Sequence, residues 1–378
     1  MEGRNKKMEL LGNAPIPKAL LAMGLPTMIG MMINALYNLV DAYFVGGLGT
    51  SQMGAISVAF PLGQVVVGLG LLFGNGGASY ISRLLGRGDR ETADRAASTA
   101  LYSSIFVGAA VILCAVIFLK PLLKCLGATD SILPYAVTYA GIYVVSSIFN
   151  VFNVTMNNIV TSEGAARTTM CVLLTGAAFN MVLDPVFIYV LKLGVAGAAI
   201  ATAISQAVST LIYLYYVISG RSMFSFRFRN CCFSNEIMSE ILKIGIPTLA
   251  FQLLTSLSIT MINMQAKPYG DSVIAGMGAV TRMISLGSLM VFGFIKGFQP
   301  IAGYNYGAGN YERLHEAIRI SVVWSTLFCA VFGLTMAVFS GPVISRFTKN
   351  DMEMIRIGQK ALKANGLSFL LFGFYTVY

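Results

Sequence analysis

The sequence predicts an all-α polytopic membrane protein made of two six-helix lobes, and two observations carry the prediction. Hydrophobic residues make up 56% of the 378 positions and charged residues only 11%, so a globule folded in water would be left with an apolar surface, and the bilayer must be the solvent. The second observation is an internal duplication. A shift of 221 positions lays the second half on the first without a gap, so that Gly24-Leu25-Pro26-Thr27 meets Gly245-Ile246-Pro247-Thr248 and Leu85-Gly86-Arg87-Gly88 meets Tyr306-Gly307-Ala308-Gly309. Glu91 with Glu312, Pro121 with Pro342 and Asp130 with Asp351 fall at the same offset. Repeats of this size in polytopic membrane proteins are typical of transporters.

Apolar runs long enough to span a bilayer lie at 17–45, 53–82, 97–119, 133–160, 168–190 and 194–219 in the first copy, and at 239–265, 272–303, 318–344 and 357–378 in the second. Backbone groups in hydrocarbon must be satisfied internally, and no run has the period-two alternation of a barrel strand, so all ten are read as helices. The first run carries Pro26 and its counterpart in the second copy carries Pro247, a break that suits a hinge. It is too long for a signal-peptide core and recurs in the second copy, so it belongs to the mature chain. In the second run Gly68, Gly70, Gly74, Gly76 and Gly77 predict close helix packing, since no strand precedes them as a phosphate loop requires. The Gly86-Arg87-Gly88-Asp89 turn separates the second run from the third. Asp184-Pro185 interrupts the fifth, and the small residues Gly194 to Ala199 open the sixth. The domain reading is therefore 1–220 for the first lobe, 221–238 for a linker and 239–378 for the second lobe. Tyr378 pairs with Asn157 although the first copy runs on to about Gly220, so the expectation is a C-terminally truncated second lobe. It lacks roughly 60 to 70 residues, or about two helices, of a twelve-helix whole.

The formal net charge of +10 reports topology rather than nucleic-acid binding, because the basic residues alternate with membrane side. With the N-terminus inside, cytoplasmic segments collect Arg4, Lys6, Lys7, Lys18, Arg83, Arg87, Arg90, Arg95, Arg167, Arg221, Arg227, Arg229, Lys243, Arg313 and Arg319. Outer loops hold only Lys120, Lys124, Lys192, Lys267, Arg346 and Lys349. Six cysteines show no metal-site spacing, with Cys231 and Cys232 placed in the linker, and the single His315 sits beside Glu312, Arg313 and Glu316 as a solvated helix start.

Function is signalled by ionisable residues inside the spans, where a charge costs at least about 2.5 kcal/mol on insertion scales. Asp41 ends a polar stripe with Asn34, Tyr37 and Asn38 on one face of the first helix. Asp184 follows Asn180 by one turn, and Pro185 leaves the Met181 carbonyl without its helical donor. Thr202 adds a hydroxyl from the sixth helix. An Asp41/Asp184 pair suits a shared proton, and the oxygens of Asp41, Asn180 and Asp184 also suit Na⁺. The alternative is that each acid only pins helix packing through a neighbouring Asn or Tyr. For Asp41 the second copy argues against it, having Thr255, Ser258, Ile259 and Ile262 at the equivalent positions. Lys296 and Arg282 lie near enough to a span end to snorkel or to serve an interface.

Taken together, Gly24 to Thr27, Leu36-Tyr37-Asn38-Leu39-Val40-Asp41, Gly86 to Asp89, Leu183-Asp184-Pro185, Gly194 to Ala199 and Gly303 to Gly309 resemble the MATE (multidrug and toxic compound extrusion) family. The likeness covers the whole chain and is greatest to the bacterial branch of MepA-type exporters. It implies a multi-pass protein of the bacterial plasma membrane that exports small lipophilic, often cationic, drugs in exchange for H⁺ or Na⁺ by alternating access. It implies no cofactor beyond the coupling ion, no nucleic acid and a monomeric state. Carried over by position, Asp41, Asn180, Asp184 and Thr202 match the family's cation or proton site, and Asn34, Tyr37, Gln64, Asn153 and Asn157 match positions facing its drug cavity. Pro26, Pro185 and Pro247 are candidate hinges. Thr255 stands where another branch has a second-lobe acid, so a second-lobe sodium site is not expected. Two rival readings are a flippase for lipid-linked saccharides, whose cavity would carry several basic residues, and an intramembrane aspartyl protease, whose Gly-x-Gly-Asp setting is missing around Asp184.

Overall fold

In the computed structural model, residues 2–48, 50–231, 234–266, 268, 271–345 and 352–377 are described. Cys232, Lys267, Arg346, Lys349, Asp351 and Tyr378 lie outside the described residues. The first lobe holds α1 (Glu2–Gly12), α2 (Ile16–Gly46), α3 (Thr50–Arg87), α4 (Arg90–Ile117), the short α5 (Leu119–Cys125), α6 (Leu133–Ser162), α7 (Ala166–Pro185) and α8 (Val195–Ile218). The second holds α9 (Asn235–Ala266), α10 (Asp271–Gly307), α11 (Tyr311–Val338), α12 (Ser340–Ile344), α13 (Met352–Ser368) and α14 (Phe372–Val377).

Among the described residues nine helices are long and apolar enough to cross a membrane, and they coincide with the first nine expected runs. The tenth, 357–378, is built differently. It falls on α13 and α14 with a 3₁₀ turn, Phe369–Leu371, between them, and α13 carries Arg356, Lys360 and Lys363. A further helix, α1, stands ahead of the first span where only a basic flank was expected.

The duplication is visible in the backbone. Helices α4 and α11 are both 28 residues long and begin at 90 and 311, an offset of 221; α5 and α12 begin at 119 and 340. The turns before α4 and α11 pass through Gly88 (φ 78°) and Gly309 (φ 69°), left-handed positions that favour glycine. Asp89 then caps α4 by accepting from the Thr92 N–H at 3.0 Å.

Segment 221–231, expected as a connecting linker, is packed on the first lobe. Phe224 is buried in the core formed by Leu84, Leu85, Ala97, Ile159 and Tyr213. Asp94 accepts from Ser225 N–H and Oγ, and Tyr102 Oη donates to the Phe226 carbonyl. At the centre of this end Glu163 is fully buried. Its Oε1 accepts from Lys7 Nζ at 3.0 Å and from Tyr216 Oη, while its Oε2 accepts from Ser222 Oγ and Met223 N–H. One carboxylate thereby fastens α1, the α6–α7 turn, α8 and the linker together.

The lobes meet through exchanged pairs, α2 against α10 and α3 against α9, with α3 and α10 crossing on the axis between the copies. Small residues permit the approach: a Cβ on Gly76 would overlap the Ile241 carbonyl, and one on Gly86 the Tyr304 carbonyl. Arg83 Nη2 bonds Glu240 Oε2 at 2.9 Å, Asn305 donates to the Leu11 carbonyl and Arg313 to the Ala14 carbonyl. All these contacts lie toward the end that carries Arg83, Arg87 and Arg313. Toward the opposite end the α9 segment bearing Leu253, Leu254, Leu257 and Met261 is exposed. The interface is thus sealed at the basic end.

Candidate functional site

Asp41 sits near the end of α2 remote from the basic face, and Asp184 in the last turn of α7, which packs on α2. The two carboxyl groups are within hydrogen-bond reach of each other. Asn180 Nδ2 bridges Asp184 Oδ1 at 3.3 Å and Thr202 Oγ1 at 3.4 Å, both long for hydrogen bonds. Asp184 and Asn180 are buried. Asp41 Oδ1, Asp184 Oδ2 and Asn180 Oδ1 are buried acceptor oxygens without a donor among the described residues. The four residues singled out from the sequence therefore converge, and their orphaned oxygens fit a proton or a small hard cation.

Beyond Pro185 the helical geometry changes. Val186 N–H bonds the Leu183 carbonyl, and Val186–Val190 forms a π-helical turn. That turn brings Tyr189 Oη to the Phe44 carbonyl at 2.5 Å, tying the end of α2 to the end of α7. Pro26 lies buried inside α2 with Thr27 Oγ1 donating to the Met23 and Gly24 carbonyls, and Pro247 lies inside α9.

Two residues near Asp41 carry no mark in the sequence. Tyr139 and Tyr143 of α6 stack with ring centroids 5.8 Å apart, and together with Tyr37 they stand close enough to Asp41 to feel its charge. Their spacing of four on an apolar helix is a faint signal, because a buried Tyr at bilayer depth needs a polar neighbour.

The other expected cavity residues spread out. Asn34 is on the exposed face of α2, accepting from Asn38 Nδ2 at 3.0 Å. Gln64 accepts from Gln252 Nε2 of the second lobe at 2.6 Å. Asn153 is turned into the first lobe, where its amide donates to Gln206 and accepts from Thr210. Asn157 donates to Tyr213 Oη at 3.0 Å and accepts from Lys296 Nζ. Lys296, read as able to snorkel or to serve an interface, crosses the lobe interface. Arg282 is exposed. Thr255 bonds its own helix at the Phe251 carbonyl. A recess of about 610 Å³ opens beside α9, lined by Leu254, Leu257, Met261, Ile262, Val273 and Met277; it lies in the second lobe, away from the acids.

A helical duplication in the membrane, with buried carboxylates inside one lobe and a lobe interface sealed at one end, defines a two-lobe membrane transporter rather than an enzyme. The MatE family pattern matches residues 26–186 and 247–378, two segments that begin 221 positions apart, and the chain belongs to that family. It is 29% identical over 377 residues to the multidrug export protein MepA of Staphylococcus aureus, covering 98% of this chain and 83% of that protein. It superposes with a TM-score of 0.93 on a crystal structure of MATE in complex with MaL6, and of 0.92 on an outward-facing conformation of a multidrug resistance MATE family transporter of the MOP superfamily. Both are 29% identical and are matched over 98% of this chain and 83% of theirs.

Proposed function

We propose that the protein is a secondary active antiporter of the bacterial plasma membrane that exports chemically varied lipophilic, often cationic, drugs in exchange for H⁺ or Na⁺. The observation that carries this reading is the facing of Asp41 and Asp184, with orphaned oxygens of both acids and Asn180 buried beside them. A single proton, or one Na⁺ with Asn180 and Thr202 as further oxygen donors, satisfies that site. An unloaded pair attracts a cationic drug. Loading and drug binding therefore compete for the same negative charge, and competition at one site is what exchange requires. The excess of Arg and Lys supports placing the sealed end in the cytosol, so the arrangement corresponds to the outward-open member of an alternating-access pair. Related exporters of several drugs support a polyspecific cavity, for which the open faces of α2 and α9 offer surface.

The test is efflux of ethidium from proteoliposomes under an imposed pH gradient and, separately, an imposed Na⁺ gradient. Efflux driven by one gradient and abolished by Asp41→Asn and by Asp184→Asn, with both variants still folded by size-exclusion chromatography, is the expected outcome. Unimpaired efflux in both variants would overturn the mechanism.

A further inference from the structure

A second charged group stands at the lobe interface, and the acid site leaves it unexplained. Lys296 of α10 is half-buried among Ser79 and Ser82 of α3, Asn158 and Thr161 of α6, and Gln299. Its amine bonds the Asn157 amide oxygen of the other lobe. The ion pairs among the described residues are Lys7–Glu163, Arg83–Glu240, Arg95–Glu91 and Lys243–Glu240, so no described carboxylate offsets it. The fold does not demand a cation at this place. The equivalent position of the first copy is the neutral Asn75, whose own partner is Thr248 of α9 at 3.2 Å.

Lys296 does not belong to the acid site. The backbone of Gly297 lies against Gly24, and Asp41 is about 25 Å further along α2 at 1.5 Å per residue. A drug-sized molecule does not bridge the two. Resting on the exporter reading above, we infer that Lys296 and the hydroxyl and amide groups around it form an anion subsite on the cytosolic side of the transport path, which selects drugs that carry a carboxylate besides their cationic group. In the sealed arrangement the pocket is small and the Asn157 oxygen takes the place of that carboxylate. Parting of the lobes at this end breaks the Lys296–Asn157 bond and frees the amine for a substrate arriving from the cytosol. Closure restores Asn157 as its partner and releases the carboxylate toward the outer cleft. A hydrogen bond to a charged group in such a setting is strong enough to discriminate between substrates.

The experiment compares norfloxacin with its methyl ester, which differ in the carboxylate alone, and uses ethidium as a third probe. Binding to the purified protein is read by fluorescence titration, and transport by efflux from proteoliposomes. Lys296→Gln is expected to weaken norfloxacin binding and raise its transport KM by roughly tenfold, to leave the ester and ethidium within about twofold, and to be rescued by Lys296→Arg. Equal loss for norfloxacin and ester marks a packing role and overturns the inference, as does unchanged norfloxacin binding. If discrimination persists in binding while none of the three probes is exported by the wild type, the exporter reading fails and the anion subsite stands.

Discussion

Gly86 of α3 and Gly307 of α10 occupy each other's backbone space: a Cβ on Gly86 would overlap the Tyr304 carbonyl oxygen, and one on Gly307 would overlap the Arg83 carbonyl oxygen. Residues 83 and 304, like 86 and 307, are 221 apart, so this is a self-complementary contact of the kind a two-fold axis imposes, made here within one chain. It places the lobe axis at the sealed end. Gly86→Ala and Gly307→Ala each push two backbones apart, and each is expected to cost about 1–3 kcal/mol, as overpacking does. They should also accelerate maleimide labelling of a cysteine introduced at Ser82. Gly88→Ala, at φ 78° with open space around it, should cost about 1 kcal/mol and leave labelling unchanged. Thermal melts in detergent together with labelling rates check both. Identical behaviour of all three variants would contradict the assignment of the axis.

Pro185 is expected to act on transport through Tyr189. Pro185→Ala restores a donor to the Met181 carbonyl, converts the π turn to α-helix and rotates Tyr189 away from the Phe44 carbonyl. Asp184 stays on the same helix, but the end of α2 that bears Asp41 loses its tie. Efflux should fall severalfold with the melting temperature nearly unchanged, and Tyr189→Phe, which removes only the hydroxyl, should reproduce most of the loss. Normal efflux in Tyr189→Phe would disconnect the turn from function.

Glu163 is expected to matter for stability more than any other acid. It is fully buried and accepts from four donors on three segments. Glu163→Ala leaves the Lys7 amine and the Ser222, Met223 and Tyr216 donors without that acceptor, and should cost about 3 kcal/mol or more. Glu163→Gln is not conservative here, because an NH₂ in place of Oε2 would face the Ser222 hydroxyl and the Met223 N–H, both donors. Both variants should lower the melting temperature and expose segment 221–231 to protease. Resistance of that segment in Glu163→Ala would show that Phe224 and its neighbours hold the linker without the carboxylate.

Gly86, Gly88 and their partners were legible because the duplication repeats them at a fixed offset, and Asp41 and Asp184 because a carboxylate inside an apolar run is costly. Asn180 followed from Asp184 by helical spacing, and Thr202 as a hydroxyl of the sixth helix that the family resemblance marks. Glu163 was not legible: at the end of a span an acid looks like a boundary residue, and its cation, Lys7, is 156 positions away. Tyr139 and Tyr143 were hidden because an aromatic residue in a membrane helix is ordinarily lipid- or core-facing, and only the fold brings α6 to α2. Asn153 was marked by the resemblance alone, and its partners inside the lobe, Gln206 and Thr210, carry no signal in the sequence.

The ion pair between Arg83 and Glu240 is expected to bear on conformational balance more than on stability. Arg83 belongs to the first lobe and Glu240 to the second, and both side chains remain about one-fifth to one-quarter exposed. Glu240 is also bonded by Lys243 of its own helix at 2.5 Å. A partly solvated pair of this kind contributes about 0–1 kcal/mol to folding, so Glu240→Ala should leave the melting temperature almost unchanged. Under the alternating access proposed above, the pair exists only while the lobes are closed at this end, so its whole contribution bears on the equilibrium between closed and open interfaces. A bias of about 0.7 kcal/mol alters that ratio roughly threefold. Glu240→Ala and Arg83→Ala should therefore each raise the labelling rate of the Ser82 cysteine by about threefold. The double variant should add little to either single one, because each change removes the same bond. The charge-reversed combination Arg83→Glu with Glu240→Arg restores the interlobe attraction but places Lys243 beside an arginine, so only partial recovery is expected. Additive effects in the double variant would show that Arg83 and Glu240 act on closure separately, through Gly307 packing and Lys243, and not through their mutual bond.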